Sequence, residues 1–398
     1  MSDNFGKFDP KSGKRGSGDP LADLAEATRL TGLGRLEEAT ALIQRTLTGR
    51  GGSSSSTPTP QRHGAEASPS LRVREVVETV VRGLAAPVLK GLGQRQPSPA
   101  PERGPSSGSF VARSHAVAAG SRDYKLFVPG TPQKSAPLVV MLHGCTQNPD
   151  DFAAGTGMNV LAERLGIFVA YPAQNRSAHP QKCWNWYDPA DQSRESGEPA
   201  IIAGITRAVM AAYPIDPARV YIAGMSAGGA AALNIAHAYP DLYAAVGVHS
   251  GLAAGCARDL GSAIMAMQVG APGFGTGPNF GATVTPKRIP TIVFHGTDDN
   301  TVSVRNADQI LAQAEASGLE ASAERFEGAG DRFGGHPFIR TRYSDRTGRV
   351  VLEDWRIRGV GHAWSGGRPE GTYTDPAGPD ASRAMLDFFA EHRLAKPH

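Results

Sequence analysis

One stretch, Arg219-Val220-Tyr221-Ile222-Ala223-Gly224-Met225-Ser226-Ala227-Gly228-Gly229-Ala230-Ala231-Ala232-Leu233, constrains what this chain folds into more than any other. Val220, Tyr221 and Ile222 favour a strand, whereas Ala227 to Ala238 is rich in the helix formers Ala and Leu, so the period changes at Ser226. That change sets a hydroxyl on a sharp corner between strand and helix. The corner requires glycine at Gly224 and Gly228, because a Cβ on either side of a strained serine collides with the turn. The helix that follows points its N-terminus, with free N–H groups and the positive dipole end, at the same corner, where an oxyanion is stabilised. A G-x-S-x-G pattern is short, and its plain alternative is a small-residue N-cap at Ser226. The strand before and the helix after favour a nucleophile elbow.

The 398 residues suffice for one large α/β domain with extensions. With 41 Lys and Arg against 38 Asp and Glu, no electrostatic case exists for nucleic acid or an anionic membrane, so a neutral substrate is expected. The start, Met1-Ser2-Asp3-Asn4-Phe5-Gly6-Lys7, shows no apolar core of a secretory signal, and no run of about 18 apolar residues occurs. A soluble, cytoplasmic protein without a membrane span is the expectation. Three cysteines are too few for a disulfide scaffold, and none has the paired spacing of a zinc site.

Three regions follow from texture. Residues 1–50 hold a polar, glycine-rich start and then Leu21, Leu24, Ala25 and Leu30 and Leu33, Leu36, Leu42, Ile43 and Leu47 at helical spacing, a helical hairpin broken at Gly32 and Gly34. Residues 51–109 are Ser-, Pro- and Gly-rich linkers around one amphipathic segment, with Val73, Val76, Val77, Val80, Val81 and Leu84 on one face. That face packs on another part of the chain or adsorbs to an apolar polymer or lipid granule. Residues 110–398 alternate strand and helix runs, which predicts a mainly parallel sheet with helices on both faces. An early hairpin pairs Val111 to Val117 with Tyr124 to Val128. Strands are then expected at Leu138 to Leu142, Ile167 to Tyr171, Val220 to Ala223, Ala245 to Val248, Thr291 to Phe294 and Val351 to Ile357. Helices are expected at Met158 to Leu165, Pro199 to Ala212, Ala227 to Ala238, Val304 to Ala316 and Ala381 to Arg393. This is an α/β-hydrolase layout.

The chemistry-bearing residues sit where those strands end. Leu138 to Leu142 runs into His143-Gly144-Cys145-Thr146-Gln147, and the loop after this strand supplies one oxyanion donor, the Cys145 N–H, beside the N–H of Ala227 that follows the serine. Thr291 to Phe294 runs into His295-Gly296-Thr297-Asp298-Asp299, where a carboxylate belongs that accepts a histidine Nδ1 proton. Its spacing from the glycine and Val302 selects Asp299, leaving Asp298 to cap the loop. Val351 to Ile357 leads to Gly359-Val360-Gly361-His362. Of the eleven histidines, His362 alone completes the order Ser, Asp, His; His143, His237, His249 and His295 read as structural. No cluster has metal-ligand spacing and no glycine-rich loop fits a phosphate, so neither metal nor cofactor is expected.

His143-Gly-Cys-Thr-Gln147, Cys183-Trp184-Asn185-Trp186-Tyr187, Gly224-Met-Ser-Ala-Gly-Gly-Ala230, His249-Ser250-Gly251-Leu252 and Gly361-His-Ala-Trp-Ser-Gly-Gly367 together resemble the polyhydroxybutyrate depolymerase family of esterases, over roughly 122–393. The resemblance implies a serine hydrolase of short-chain hydroxyalkanoate polyesters or related esters, with feruloyl and acetyl-xylan esterases as relatives. It implies Ser226, Asp299 and His362 as catalytic triad and the N–H groups of Cys145 and Ala227 as oxyanion hole. It also implies a Cys145–Cys183 disulfide, which a cytosolic location opposes, with Cys256 left free. Secreted members carry a signal peptide and an added polymer-binding domain; neither is recognised here, and an extracellular location is the alternative to the cytoplasmic one. Trp184, Trp186 and Trp364 are assigned to an acyl groove, with core packing as the alternative. A reading of another class is a polyester-granule binding protein with an ancillary esterase domain.

Overall fold

The computed structural model describes residues 108–271, 288–317, 321–330 and 334–395. The expected helical hairpin, the first linker and the amphipathic segment lie outside the described residues. So does nearly all of the second linker.

Alternation along the strands explains the two-sided core. In β3 (Ala136–Leu142), Leu138, Val140 and Leu142 pack into one hydrophobic cluster, while Val139 and Met141 pack into the other, on the opposite face of the sheet. A strand apolar at every position must be covered on both sides, which is the situation of a parallel sheet. Its parallel neighbours are β4 (Phe168–Pro172), β5 (Ile215–Met225), β6 (Ala245–His249), β7 (Thr291–Gly296) and β10 (Val350–Ile357), in the spatial order β4-β3-β5-β6-β7-β10. Antiparallel strands extend both edges: β1 (Ser109–Val117) and β2 (Gly120–Val128) beyond β4, β9 (Pro337–Ser344) and β8 (Ser322–Ala329) beyond β10. The early hairpin turns at Ala118 and Ala119; the polar residues 120–123, expected as its connection, begin β2, where they pair with residues 114–117 of β1.

Among the described residues, seven α-helices flank the sheet. Under one face lie α1 (Pro149–Thr156), α2 (Met158–Leu165) and α7 (Ala381–Ala390), through Phe152, Met158, Met385, Phe388 and Phe389. Over the other lie α3 (Gly197–Ala212), α4 (Ala227–Ala238), α5 (Leu260–Val269) and α6 (Arg305–Ala316), through Ile202, Ile205, Leu233, Ala266 and Ile310. This is the α/β-hydrolase layout. Helix α7 stops at Ala390, short of the expected Arg393, as the His392 N–H turns back to the Phe389 carbonyl. No helix among the described residues is long and apolar enough to cross a membrane.

Candidate active site

Four parallel strands end together and deliver the residues singled out above. Leu142 of β3 pairs with Gly224 of β5, Met225 with His249 of β6, and Gly296 of β7 with Ile357 of β10, so the loops after β3, β5, β7 and β10 open on one side of the sheet.

Ser226 adopts φ 57° and ψ −124°, a strained conformation for a residue with a Cβ. The Ser226 N–H donates to the His249 carbonyl at 2.9 Å, and the Ser226 carbonyl accepts from Ala230 N–H at 3.0 Å, so strand and helix both grip the corner. Both flanking glycines are sterically required. A Cβ on Gly224 would lie 2.3 Å from the Gly228 carbonyl, and one on Gly228 would lie 2.1 Å from Leu142 O.

The loop after β3 crosses beside this corner. A Cβ on Gly144 would sit 3.7 Å from that of Ser226. Gly144 N–H donates to Gln147 Oε1 at 2.9 Å and Thr146 N–H to Gln181 O at 2.7 Å, while Cys145 N–H has no acceptor among the described residues. Cys145 is disulfide-bonded to Cys183, with Cα atoms 4.2 Å apart, as the family resemblance implies; Cys256 is free and buried. The loop is also fixed from below. Trp184 Nε1–H donates to His143 O at 2.9 Å, and the His143 Nε2 accepts Gln174 N–H at 3.1 Å. Burial lowers the His143 pKa to about 4, so its ring is a neutral acceptor at ordinary pH.

Asp299, not Asp298, faces the histidine. Its Oδ2 lies 2.7 Å from His362 Nδ1, and its Oδ1 accepts the N–H groups of Thr301 and Val302 at 2.9 and 2.8 Å. Burial alone would raise the pKa of this carboxyl; the hydrogen bonds and charges of His295 and His362 outweigh it and hold Asp299 far below the ordinary carboxylate range. An ionised Asp299 only accepts, so the proton of this hydrogen bond is on His362 Nδ1 and the ring is turned with Nε2 away from the carboxylate. Asp298 points away, accepting Thr297 Oγ1–H at 2.8 Å, while its N–H donates to Val360 O and stitches the acid loop to the His362 loop.

Two histidines set aside as structural lie against this array. His249 Nε2 accepts the Ser365 N–H at 2.9 Å, and its ring stacks on Trp364 at 4.8 Å and on Phe294 at 5.7 Å. The Ser226 corner and the loop carrying His362 thus meet on one residue. Burial, with the nearby His295 and His362, lowers the His249 pKa to about 3, which preserves its acceptor nitrogen. His295 Nε2–H donates to Val302 O at 2.8 Å and lies 3.5 Å from Asp299 Oδ2. The only sequence signal for either role was a histidine at the C-terminal end of a parallel strand.

Trp184 and Trp364 are 0 % and 1 % exposed and Trp186 is 5 % exposed, burial that favours the core-packing alternative for these tryptophans. An indole buries a large apolar surface if its N–H finds a partner, and Trp364 Nε1–H finds Ser382 Oγ at 3.1 Å.

A histidine held by an ionised carboxylate, on a loop that meets the strained Ser226 turn at His249, is a set of groups that can deprotonate a serine for attack on a carbonyl. The chain is similar to known depolymerases and esterases. The family described as Esterase PHB depolymerase matches residues 122–329, just over half of the chain and ending before His362. Poly(3-hydroxyalkanoate) depolymerase C of Paucimonas lemoignei is 32% identical over 260 residues, covering 63% of this chain and 58% of that protein. Poly(3-hydroxybutyrate) depolymerase of Ralstonia pickettii is 25% identical, covering 67% and 56%; the chain therefore spans just over half the length of these curated relatives. Feruloyl esterase B of Thermothelomyces thermophilus is 29% identical over 50% of this chain and 72% of its own. Among solved structures, acetyl xylan esterase from Aspergillus awamori has a TM-score of 0.55 at 19% identity, covering 71% of this chain and all of that one, a likeness of fold.

Proposed function

The chain belongs to the Esterase PHB depolymerase family, and from that premise we propose that it is a serine carboxylic ester hydrolase acting on short-chain hydroxyalkanoate polyesters or their oligomers through an acyl-enzyme. The observation that carries the reading is the 2.7 Å hydrogen bond from His362 to Asp299 in a chain whose Ser226 is held in a strained elbow. His362 Nε2 takes the Ser226 proton as Oγ attacks the ester carbonyl, and Asp299 stabilises the imidazolium that results. The N–H groups of Cys145 and Ala227 receive the oxyanion; losing one such donor costs about 3 kcal/mol of transition-state stabilisation. The alcohol leaves with the proton from His362, and water repeats the sequence to release the acid.

The near-balanced charge supports a neutral ester. Relatives named feruloyl esterase and acetylxylan esterase support a second substrate reading for the same chemistry. The Cys145–Cys183 disulfide supports work in an oxidising compartment, the extracellular alternative over the cytoplasmic one. Contact with a polyester granule through 73–84 rests on the sequence pattern alone.

The test is a burst of p-nitrophenol from p-nitrophenyl butyrate at about one equivalent per chain, abolished in Ser226→Ala with unchanged circular dichroism. A steady rate in Ser226→Ala within tenfold of the parent refutes the mechanism. A panel of hydroxybutyrate oligomers, feruloyl esters and acetyl esters then ranks the substrate readings.

A further inference from the structure

Two residues with side chains, Thr146 at φ 68° and Tyr373 at φ 54°, adopt the left-handed backbone region and face each other, Thr146 Oγ1 lying 3.3 Å from Tyr373 Oη. Such a conformation costs on the order of 1 kcal/mol or more and persists only where the surroundings impose it. Here they do. Asp151 of α1 takes the Thr372 N–H at 2.9 Å and its hydroxyl at 2.6 Å, Gln147 Nε2–H donates to Thr372 O at 3.2 Å, and the Trp364 N–H donates to Tyr373 O at 2.6 Å. Tyr373 is thereby pinned between the loop that carries Cys145 and the loop that carries His362. Yet it is 46 % exposed, whereas Trp184, Trp186 and Trp364 are all buried. An imposed left-handed backbone that holds a large aromatic in water is stabilisation forgone, and its hydroxyl lies against the residue that follows Cys145.

The protons of this pair have a fixed order. The Cys145 carbonyl can only accept, so Thr146 Oγ1, 2.5 Å away, donates to it. Thr146 has then spent its single proton, and at 3.3 Å it is the acceptor of the Tyr373 hydroxyl. The free capacity of Tyr373 Oη is therefore its lone pairs, and what it offers a substrate is an acceptor. We propose that Tyr373 is a specificity-determining residue that accepts a hydrogen bond from a substrate hydroxyl a few bonds from the scissile ester. The inference rests on the ester-hydrolase reading above and deepens it. An ester with such a hydroxyl, on either the acyl or the alcohol side, is preferred over its deoxy counterpart.

The experiment uses the full chain and three esters: ethyl butyrate, ethyl 3-hydroxybutyrate with the hydroxyl on the acyl side, and 2-hydroxyethyl butyrate with it on the alcohol side. In Tyr373→Phe, the preference in kcat/KM for one hydroxylated ester over ethyl butyrate falls about three- to tenfold, the size of one neutral hydrogen bond, with the change carried by KM. Which hydroxylated ester loses its preference identifies the side recognised. The same preference is read without turnover, from NMR titrations of the three esters into Ser226→Ala and into Ser226→Ala with Tyr373→Phe. The binding preference falls there even if Ser226 is not the nucleophile, which separates the two readings. An unchanged preference in both measurements, or an equal loss on all three esters, overturns the proposal; an equal loss marks Tyr373 as a packing element of the loop.

Discussion

Ser226 and His249 are joined end to strand end, the serine N–H donating to the His249 carbonyl at 2.9 Å, while the His249 ring accepts the Ser365 N–H at the same distance. One residue thus sets the height of the serine through its backbone and the position of the His362 loop through its side chain. In His249→Leu the backbone bond survives, the Ser365 N–H is left buried without a partner, and the stack with Trp364 is lost. Such an orphaned donor costs about 1–3 kcal/mol. The expected result is kcat lowered about 10- to 100-fold with KM within threefold, because small misplacement of a catalytic base acts on the transition state. A change confined to thermal stability would assign His249 to packing alone.

The acid is tested by neighbours. Asp299→Asn replaces the acceptor of the His362 proton by a group that favours the wrong tautomer, and a loss in kcat of roughly 10³- to 10⁴-fold on p-nitrophenyl butyrate is expected. Asp298→Asn keeps its backbone bond to Val360 and is expected to stay within about threefold. The reverse order would move the role one residue along the loop.

The strand ends were legible because a parallel strand buried on both faces reads as an apolar run, and Leu138 to Leu142, Ala245 to Val248 and Thr291 to Phe294 are such runs. Helices 158–165 and 227–238 coincide with the expected ranges for a related reason, each being bracketed by glycine or by the serine corner. What stayed hidden has no such period. Every residue of β8, Ser-Ala-Glu-Arg-Phe-Glu-Gly-Ala, is exposed, so the backbone ladder of a sheet edge makes it a strand, and its partner β9 sets Arg340 and Arg342 around Thr341 and is held to β10 by ion pairs to Glu353 rather than by an apolar run. In the candidate site, Ser226, Asp299 and His362 announce themselves by following strands. Tyr373 follows none: its setting depends on Asp151, Gln147 and Trp364, hydrogen-bonded across the fold.

A pH dependence of stability is expected from Glu198, which is 4 % exposed. Burial raises its pKa from 4.5 to about 7, with Asp191 adding to the rise, against the hydrogen bonds from Asn185 and Gln174. A carboxyl whose folded pKa lies above its unfolded one contributes fully below the unfolded value and loses that contribution as pH rises through the folded value. The shift corresponds to roughly 3 kcal/mol. Glu198→Gln mimics the protonated acid, so its urea midpoint should match the parent near pH 4.5 and exceed it increasingly up to pH 8. Parallel midpoints across that range would show that Glu198 is ionised in the folded protein.

The disulfide couples redox state to the loop that carries Cys145. Cys145 and Cys183 close a loop with a sequence separation of 38, a crosslink worth about 2 to 4 kcal/mol to a domain of this size. Its position gives it more leverage on rate than on folding, because it holds Cys145, the amide proposed to receive the oxyanion, against the segment anchored by Trp184 and Glu198. Burial pushes the Cys256 thiol up to about 12, so it stays unreactive in the folded state. Thiol titration of the native protein should therefore find none, of the denatured unreduced protein one, and of the denatured reduced protein three. Mild reduction of the native enzyme should lower kcat on p-nitrophenyl butyrate at least tenfold, while the urea midpoint moves by no more than the crosslink accounts for. Three thiols before reduction would mean that Cys145 and Cys183 are not bonded, and kcat untouched by complete reduction would mean that the Gly144 to Gln147 hydrogen bond and the Trp184 anchor hold the Cys145 amide without it.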